Sequence, residues 1–274
     1  MQTDRATPAT GEFNIDPISS RADYASLARE ENLSREFHIT PSLPEFSHNY
    51  ERLLQLFEDP HEYITRGLIV GMRDFALVAD ALREGKPVTV VSGVPGQGRM
   101  TLQHAAVASL LGWLQSLGAK LTLFVRDLEA SASGEVSLEA ARAHAQSEFL
   151  ARLPRLGVNL ETVEIISQRD DPQLAALALE AGAHLSLANL NAAFGLRLQS
   201  QVAEVYRPLL RTAELLLPAS KDSVRTAFVG TLDQDIYVRM ARRHAADVGW
   251  PRPVALYIRA VAGLHPYIDQ ATGS

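Results

Sequence analysis

The stretch "PVTVVSGVPGQGRMTLQHAAVASLLGWLQSLG", residues 87–118, limits the possible folds more than any other. Its first part is β-branched and bounded by Pro87 and Gly93, which predicts a short buried strand. Its last part has apolar residues at helical spacing and stops at Gly118. A glycine-rich turn joining a strand to a helix presents backbone N–H groups where phosphate commonly binds. The alternation then continues. "KLTLFVRD" and "ETVEIISQ" read as strands, with "SLEAARAHAQSEFLARLPRLG" as a helix between them, and "TAFVG" as a later strand. Strands alternating with helices imply βαβ units, hence a Rossmann-like parallel sheet with helices on both faces.

Upstream, residues 1–20 are polar, and helical patterns around "RADYASLARE" and "NYERLLQLF" predict an N-terminal helical extension over about 1–60. Residues 61–274 then form the sheet domain, with a nearly all-helical insertion at about 172–217. "DQDIYVRMARRHAADVG" closes the domain as an amphipathic helix ending at Gly249. The 274 residues include no cysteine, which excludes disulfides and thiolate chemistry. A net charge of −6 argues against broad nonspecific nucleic-acid binding. No apolar run approaches the ~18 residues needed to span a bilayer, and the N-terminus has no signal-peptide core, so a cytoplasmic protein without membrane contact is expected.

The glycine turn has the frame of a P-loop from Gly93 to Gly98. Arg99 and Met100, however, stand where lysine and a hydroxyl residue belong, so no working P-loop is expected. Two longer segments carry a different likeness. "YITRGLIVGMRDFALVADALREGKPVTVVSG" and "LDQDIYVRMARRHAADVGWPRPVAL" resemble, in order and spacing, the catalytic domain of archaeal and eukaryotic tryptophanyl-tRNA synthetases, over about residues 50–264. The resemblance implies a class I fold whose HIGH signature falls on "TLQH", so Thr101 and Gln103 replace a histidine and the glycine while His104 keeps the last place. The KMSKS loop would follow "VAGL", where the sequence reads "HPYIDQATGS". Loss of ATP-dependent amino-acid activation is expected on this basis.

The resemblance also marks an amino-acid pocket. Val91 and Phe124 take the places that would hold the indole edge, and also read as core residues. Glu129 and Gln234 match residues that hold the α-amino group, with Arg211 at a third such position. Ser92, at the strand end, is read either as a turn cap or as an acceptor pointing into the site, with His104 as its base or as a helix histidine satisfied locally. Asp127 and Glu129 flank Leu128 and would share a face if the chain stays extended there; Asp233 beside Gln234 is a substrate-side group or an N-cap. Tyr206 and Tyr237 fit packing or proton transfer, and Lys221 could serve residual activation. No metal spacing is present and no cofactor is expected.

These features lead to an expected function. Cyclodipeptide synthases resemble a class I synthetase that lost both signatures, and the chain is read as an aminoacyl-tRNA-dependent transferase forming a peptide or diketopiperazine bond in specialised metabolism. Its expected partners are aminoacyl-tRNA, an amino-acid-like substrate and a second copy paired through residues 172–217. Two alternatives stay open: a noncatalytic pseudo-enzyme that senses an amino acid or binds a partner, and residual ATP-dependent activation.

Overall fold

The computed structural model describes residues 53–259, apart from 133, 184, 197 and 198. The expected polar tail, most of the N-terminal extension and the final "HPYIDQATGS" lie outside the described residues. In chain order the strands are β1 (Ile69–Arg73), β2 (Val88–Pro95), β3 (Lys120–Arg126), β4 (Val163–Ser167), β5 (Arg225–Thr231) and β6 (Val254–Ile258). The α-helices are α1 (Glu62–Thr65), α2 (Ala76–Arg83), α3 (Leu102–Ser116), α4 (Asp127–Ser131) and α5 (Leu138–His144), then α6 (Pro172–Gly182), α7 (Leu187–Phe194), α8 (Val202–Asp222) and α9 (Asp235–Val248).

The six strands form one sheet in the order β1-β6-β5-β2-β3-β4. β1 runs antiparallel to β6, and every other neighbouring pair is parallel. The strand order reverses beside β2, so a crevice opens at the carboxyl ends of β2 and β5, the usual ligand position in such sheets.

β2 explains how the two faces are filled. Its side chains alternate, so Val88, Val90 and Val94 pack with Leu110, Leu111 and Leu114 of α3 and Val78 of α2. Val91 points the other way, joining Phe124, Phe228 and Tyr257 beneath Leu177 of α6, Leu210 and Ala213 of α8 and Val238 of α9. Both faces of the central strands are therefore dry, which is why they read as continuous apolar runs.

The parallel sheet with helices on both faces is as expected, and the expected strands within 87–230 are present. Two more strands flank them. β6 is the apolar "VALYI" after Pro253, and β1 pairs with it at the sheet edge. The helix expected over 137–157 is shorter. It is α-helical only as α5, then passes through a π-turn (Ala145–Phe149) and a 3-10 stretch (Leu150–Leu156) containing Pro154. Proline donates no N–H, and the left-handed Gly157 (φ 90°) ends the run. This turn lies against α3: a Cβ on Gly112 would stand 2.6 Å from the Gly157 backbone.

Candidate functional site: an ionic crevice at the carboxyl ends of the strands

The turn after β2 is held by α3 and by the segment after α5. Thr101 caps α3 by accepting from the His104 N–H, and His104 Nδ1 accepts the Thr101 N–H at 3.1 Å. That reciprocal pair is a capping box, so Thr101 and His104 both have a local structural task. The His104 ring stands edge-on to Phe149, 5.2 Å between centroids. Burial, then the Arg126 charge, pushes its pKa below the ordinary imidazole value. Glu148 accepts the Met100 N–H at 2.9 Å and pairs with Arg152 at 2.7 Å. The Met100 bond holds the Glu148 carboxyl below its usual range. Beside this first turn a cavity of about 690 Å³ is lined by Met100, Thr101, Leu102, Ala105, Arg152, Arg155 and Leu156.

Ser92 lies on the Val90–Val94 side of β2, because Val91 and Val94 mark opposite faces. It is half-buried. His104 is bonded to Thr101 and forms no base–serine pair with Ser92. Val91 and Phe124 are both fully buried in the core under α6 and α8.

The chain does not stay extended at Asp127. β3 ends at Arg126 and α4 begins at once, so Asp127 and Glu129 diverge around a helix instead of sharing a strand face. Asp127 is fully buried. Its Oδ2 accepts Arg142 Nε at 2.5 Å and Ser167 Oγ at 2.7 Å; its Oδ1 accepts the Leu128 N–H at 2.8 Å and the Arg169 N–H at 3.3 Å. It ties α4 to α5 and the end of β4.

Glu129 faces α8. Arg207, Arg211 and Glu214 stand four and three residues apart on that helix and therefore share one side of it. Arg211 donates to Glu129 from Nε at 2.8 Å and from Nη2 at 3.0 Å, and its Nη1 reaches Tyr237 Oη at 3.3 Å. Phe194 stacks on the Tyr237 ring at 5.4 Å. Arg207 Nε lies 3.8 Å from Glu129 Oε1. Burial would raise the Glu129 pKa, but Arg211, Arg126 and Arg207 together hold it below the usual carboxylate range. Arg211 keeps its charge against burial because Tyr237, Glu129 and Glu214 stabilise it.

A second pair completes the cluster. Arg126 Nη2 meets Glu214 Oε2 at 2.8 Å, and Gln168 joins Glu214 at 2.8 Å while accepting the Glu129 N–H at 3.1 Å. The Arg126 guanidinium lies flat on Gly93, where a Cβ would stand 2.0 Å from its Cζ. Gln234 lies over Gly230 in the same way, its Oε1 2.3 Å from a Cβ built there. Only glycine leaves room at these two strand ends for polar heads to cross the sheet. Gln234 also accepts the Thr231 N–H at 3.3 Å, and Asp233 lies beside it in the short turn Leu232–Gln234. The structure thus gathers Glu129, Arg211 and, through Tyr237, the start of α9, and leaves Ser92 and Asp127 outside that group.

Sequence reasoning did not single out Arg126, Gln168, Arg207 or Glu214. The spacing of Arg207, Arg211 and Glu214 on one helix side was a usable signal. Nor did it single out Arg73, whose Nε and Nη2 meet buried Asp235 at 2.5 and 2.8 Å, with Tyr257 also bonding that carboxylate. This group fastens α9 to β1 and β6. Among the described residues, no group of three or more metal-ligating side chains is gathered, and no helix is long and apolar enough to cross a membrane.

The fold is similar to that of solved tryptophanyl-tRNA synthetases. The solved tryptophanyl-tRNA synthetase of Aeropyrum pernix K1 superposes with a TM-score of 0.72 at 24% identity, covering 89% of this chain and 66% of that one. That of Encephalitozoon cuniculi, bound to tryptophan, gives 0.68 at 22% identity, over 79% and 67%. In sequence, the chain is a homologue of archaeal tryptophan–tRNA ligases. It is 26% identical to that of Methanocaldococcus jannaschii over 216 residues, 76% of this chain and 58% of the ligase. It is 27% identical to that of Methanosarcina acetivorans over 234 residues, 83% and 50%. The chain spans less than two thirds of these relatives' length. No family model matches it.

These relatives overturn the expected function. They are named as enzymes that join tryptophan to tRNA, not as cyclodipeptide synthases. An aminoacyl-tRNA-dependent transferase in specialised metabolism is therefore corrected, and a noncatalytic pseudo-enzyme is not favoured over ligase ancestry. The physical reason lies in β2. The transferase reading needs the Ser92 acceptor and the Glu129 amine clamp in one chamber, and they lie on opposite faces of the sheet. The likeness to cyclodipeptide synthases rested on shared losses, which do not by themselves define a reaction.

Proposed function

We propose that the chain activates an amino acid with ATP, as a ligase of the tryptophanyl-tRNA synthetase type does, at the crevice between β2, β5 and α8. In that chemistry a carboxylate oxygen of the amino acid attacks the α-phosphorus of ATP and pyrophosphate leaves; a tRNA hydroxyl then attacks the acyl carbon of the resulting aminoacyl-AMP, the acyl–phosphate bond breaks and AMP leaves. The observation that carries the reading is the ionic cluster of Arg126, Glu129, Arg211 and Glu214 at the carboxyl ends of the strands, beside the glycine floor of Gly93 and Gly230. Preorganised charges of this kind hold a zwitterion without reorganising.

The same reading has tRNA as acceptor, a cytoplasmic setting, and a synthetase-like domain from residue 61 onward. It also has two copies meeting over the helical region 172–217, where Leu179, Leu187 and Val202 are 70–83% exposed. Amino-acid-dependent ATP–pyrophosphate exchange, run with each of the twenty amino acids, tests it. Exchange with at least one amino acid is expected, and none with any of them would overturn the proposal.

A further inference from the structure

The turn after β2 is fastened at every second residue. Gly96 is pressed onto α4 and α5, where a Cβ would stand 2.8 Å from Ala130 Cβ and 3.1 Å from Ala141 Cβ. Gly98, in the left-handed region at φ 84°, offers its carbonyl oxygen to His144 Nε2. A carbonyl oxygen only accepts, so that nitrogen carries the proton. Met100 donates its N–H to Glu148 Oε1 at 2.9 Å. Between these fixed points Gln97 and Arg99 are exposed.

Both side chains come from one place. His144 is the last residue of α5, and Glu148 lies in the π-turn that follows it. Residues four apart on a helix lie one turn apart, ~5.4 Å along its axis, and two residues of extended chain cover ~6.6 Å. His144 and Glu148 therefore reach alternate residues of the glycine turn together. Phe149, at the end of the π-turn, stands edge-on to the rings of His144 and His104, with 6.0 and 5.2 Å between centroids. The same piece of chain thus seats the first turn of α3.

Two features separate this from ordinary loop packing. Exposed loops are commonly mobile, and Gln97, Gly98 and Arg99 are exposed and add nothing to the core. The two bonds accordingly fix the direction of the backbone. A π-turn is also rare, and frequently stands at a functional position. Here it interrupts α5 and brings Glu148 to the Met100 N–H, next to the N-cap Thr101. What it fixes is a strand–turn–helix junction, whose backbone N–H groups suit phosphate.

We infer that Glu148 and His144 are positioning residues for ATP, holding the backbone of the turn in place before the nucleotide arrives. The inference rests on the activation reading for the nucleotide, and adds to it two residues that act through the turn.

The test measures pyrophosphate exchange on the full chain, varying ATP and the amino acid in turn, for the wild type, Glu148→Ala, Glu148→Gln and His144→Ala. ATP affinity by calorimetry and hydrogen–deuterium exchange over residues 96–101 are measured on the same samples. Glu148→Ala should raise the KM for ATP ~10-fold, as for the loss of one charge-assisted bond. It should leave the KM for the amino acid unchanged and speed amide exchange in the turn. Glu148→Gln keeps an acceptor oxygen and should recover most of that loss. A role in stability alone would lower kcat through a smaller folded fraction and leave both KM values alone. That result, or an equal rise in both KM values, overturns the inference while activation stands. If Glu148→Ala fails to fold, His144→Ala carries the same comparison. If the wild type exchanges with no amino acid, the activation reading falls and the ATP titration decides the inference. Weaker ATP binding by Glu148→Ala than by Glu148→Gln then supports it, and equal binding or none overturns it.

Discussion

Asp127 and Glu129 are separated by one residue, yet they belong to two regions built on different terms. Around Asp127 the donors and acceptors balance: two side chains and two backbone N–H groups saturate one buried carboxylate, and α4, α5 and β4 are locked together. Around Glu129 they do not. Guanidiniums outnumber carboxylates, one buried Nε lacks an acceptor, and the elements that meet there come from distant parts of the chain. Buried ion pairs are weak testimony for stability, since desolvation offsets much of their attraction. What separates a structural cluster from a binding one is therefore its saturation, not its burial. Asp127 shows the first condition and Glu129 the second.

Substitution at Asp127 should give the largest effect that separates the two. Asp127→Ala removes the acceptor of four donors in a buried site and should cost about 3–5 kcal/mol, lowering the unfolding midpoint by roughly 10 °C in a chain of this size. A shift below ~2 °C in a thermal melt would dissolve the contrast, because Asp127 would then hold nothing together. Glu129→Gln comes next. It keeps the shape and loses the charge between Arg207 and Arg211, and should cost about 1–3 kcal/mol, less than the change at Asp127. In the same variant, binding of an amino acid should fall further than stability does. Equal losses at both positions in paired melts and titrations would show that the two regions are built alike.

Acid should produce a smaller, graded separation. His61 and His104 are both held below their ordinary value of 6.5, chiefly by burial. The unfolded chain therefore takes up these protons first, and the stability tied to the neutral rings is present above pH ~6.5 and lost as pH falls through and below it. Glu129 also sits below its ordinary value of 4.5, so its contribution persists above that value and fades only as pH drops through the depressed one. Melts between pH 7.5 and 3 should show two acid steps. His104→Gln should shrink the upper step, leaving the part due to His61, and Glu129→Gln should act on the lower step alone. A single step unaffected by either variant would contradict the assignment.

The sheet was legible because its central strands are dry on both faces, and "TVVSG", "TLFV" and "AFVG" record that directly. Position parity on β2 was legible too. Val91 and Ser92 are successive strand residues, so they cannot both face one crevice, and packing decides which one does. The turn of the chain at Asp127 was not legible, since "DLE" alternates as a strand would. The fold of α4 depends on Asp127 finding Arg142 and Ser167, which are 15 and 40 residues further on. The contact of Arg126 with Gly93 was hidden for a related reason. It follows from the β2–β3 register, which pairs Gly93 with Phe124 and so brings the next same-face side chain across the glycine. Glu129 and Arg211 were each visible as pocket positions, but their pairing joins residues 82 apart and needed the fold. β6 was missed because a five-residue apolar run near a domain edge carries no periodicity of its own, and β1 because its "IVGMR" is broken by a glycine and ends on an arginine.

The distinction between the two clusters is tested most directly by a crystal structure of the full chain grown with an amino acid that supports ATP–pyrophosphate exchange. The account predicts the bound amino acid against the Glu129–Arg211 group, with Asp127 and its four donors unmoved. An amino acid bound at Asp127, or away from both clusters, would contradict it.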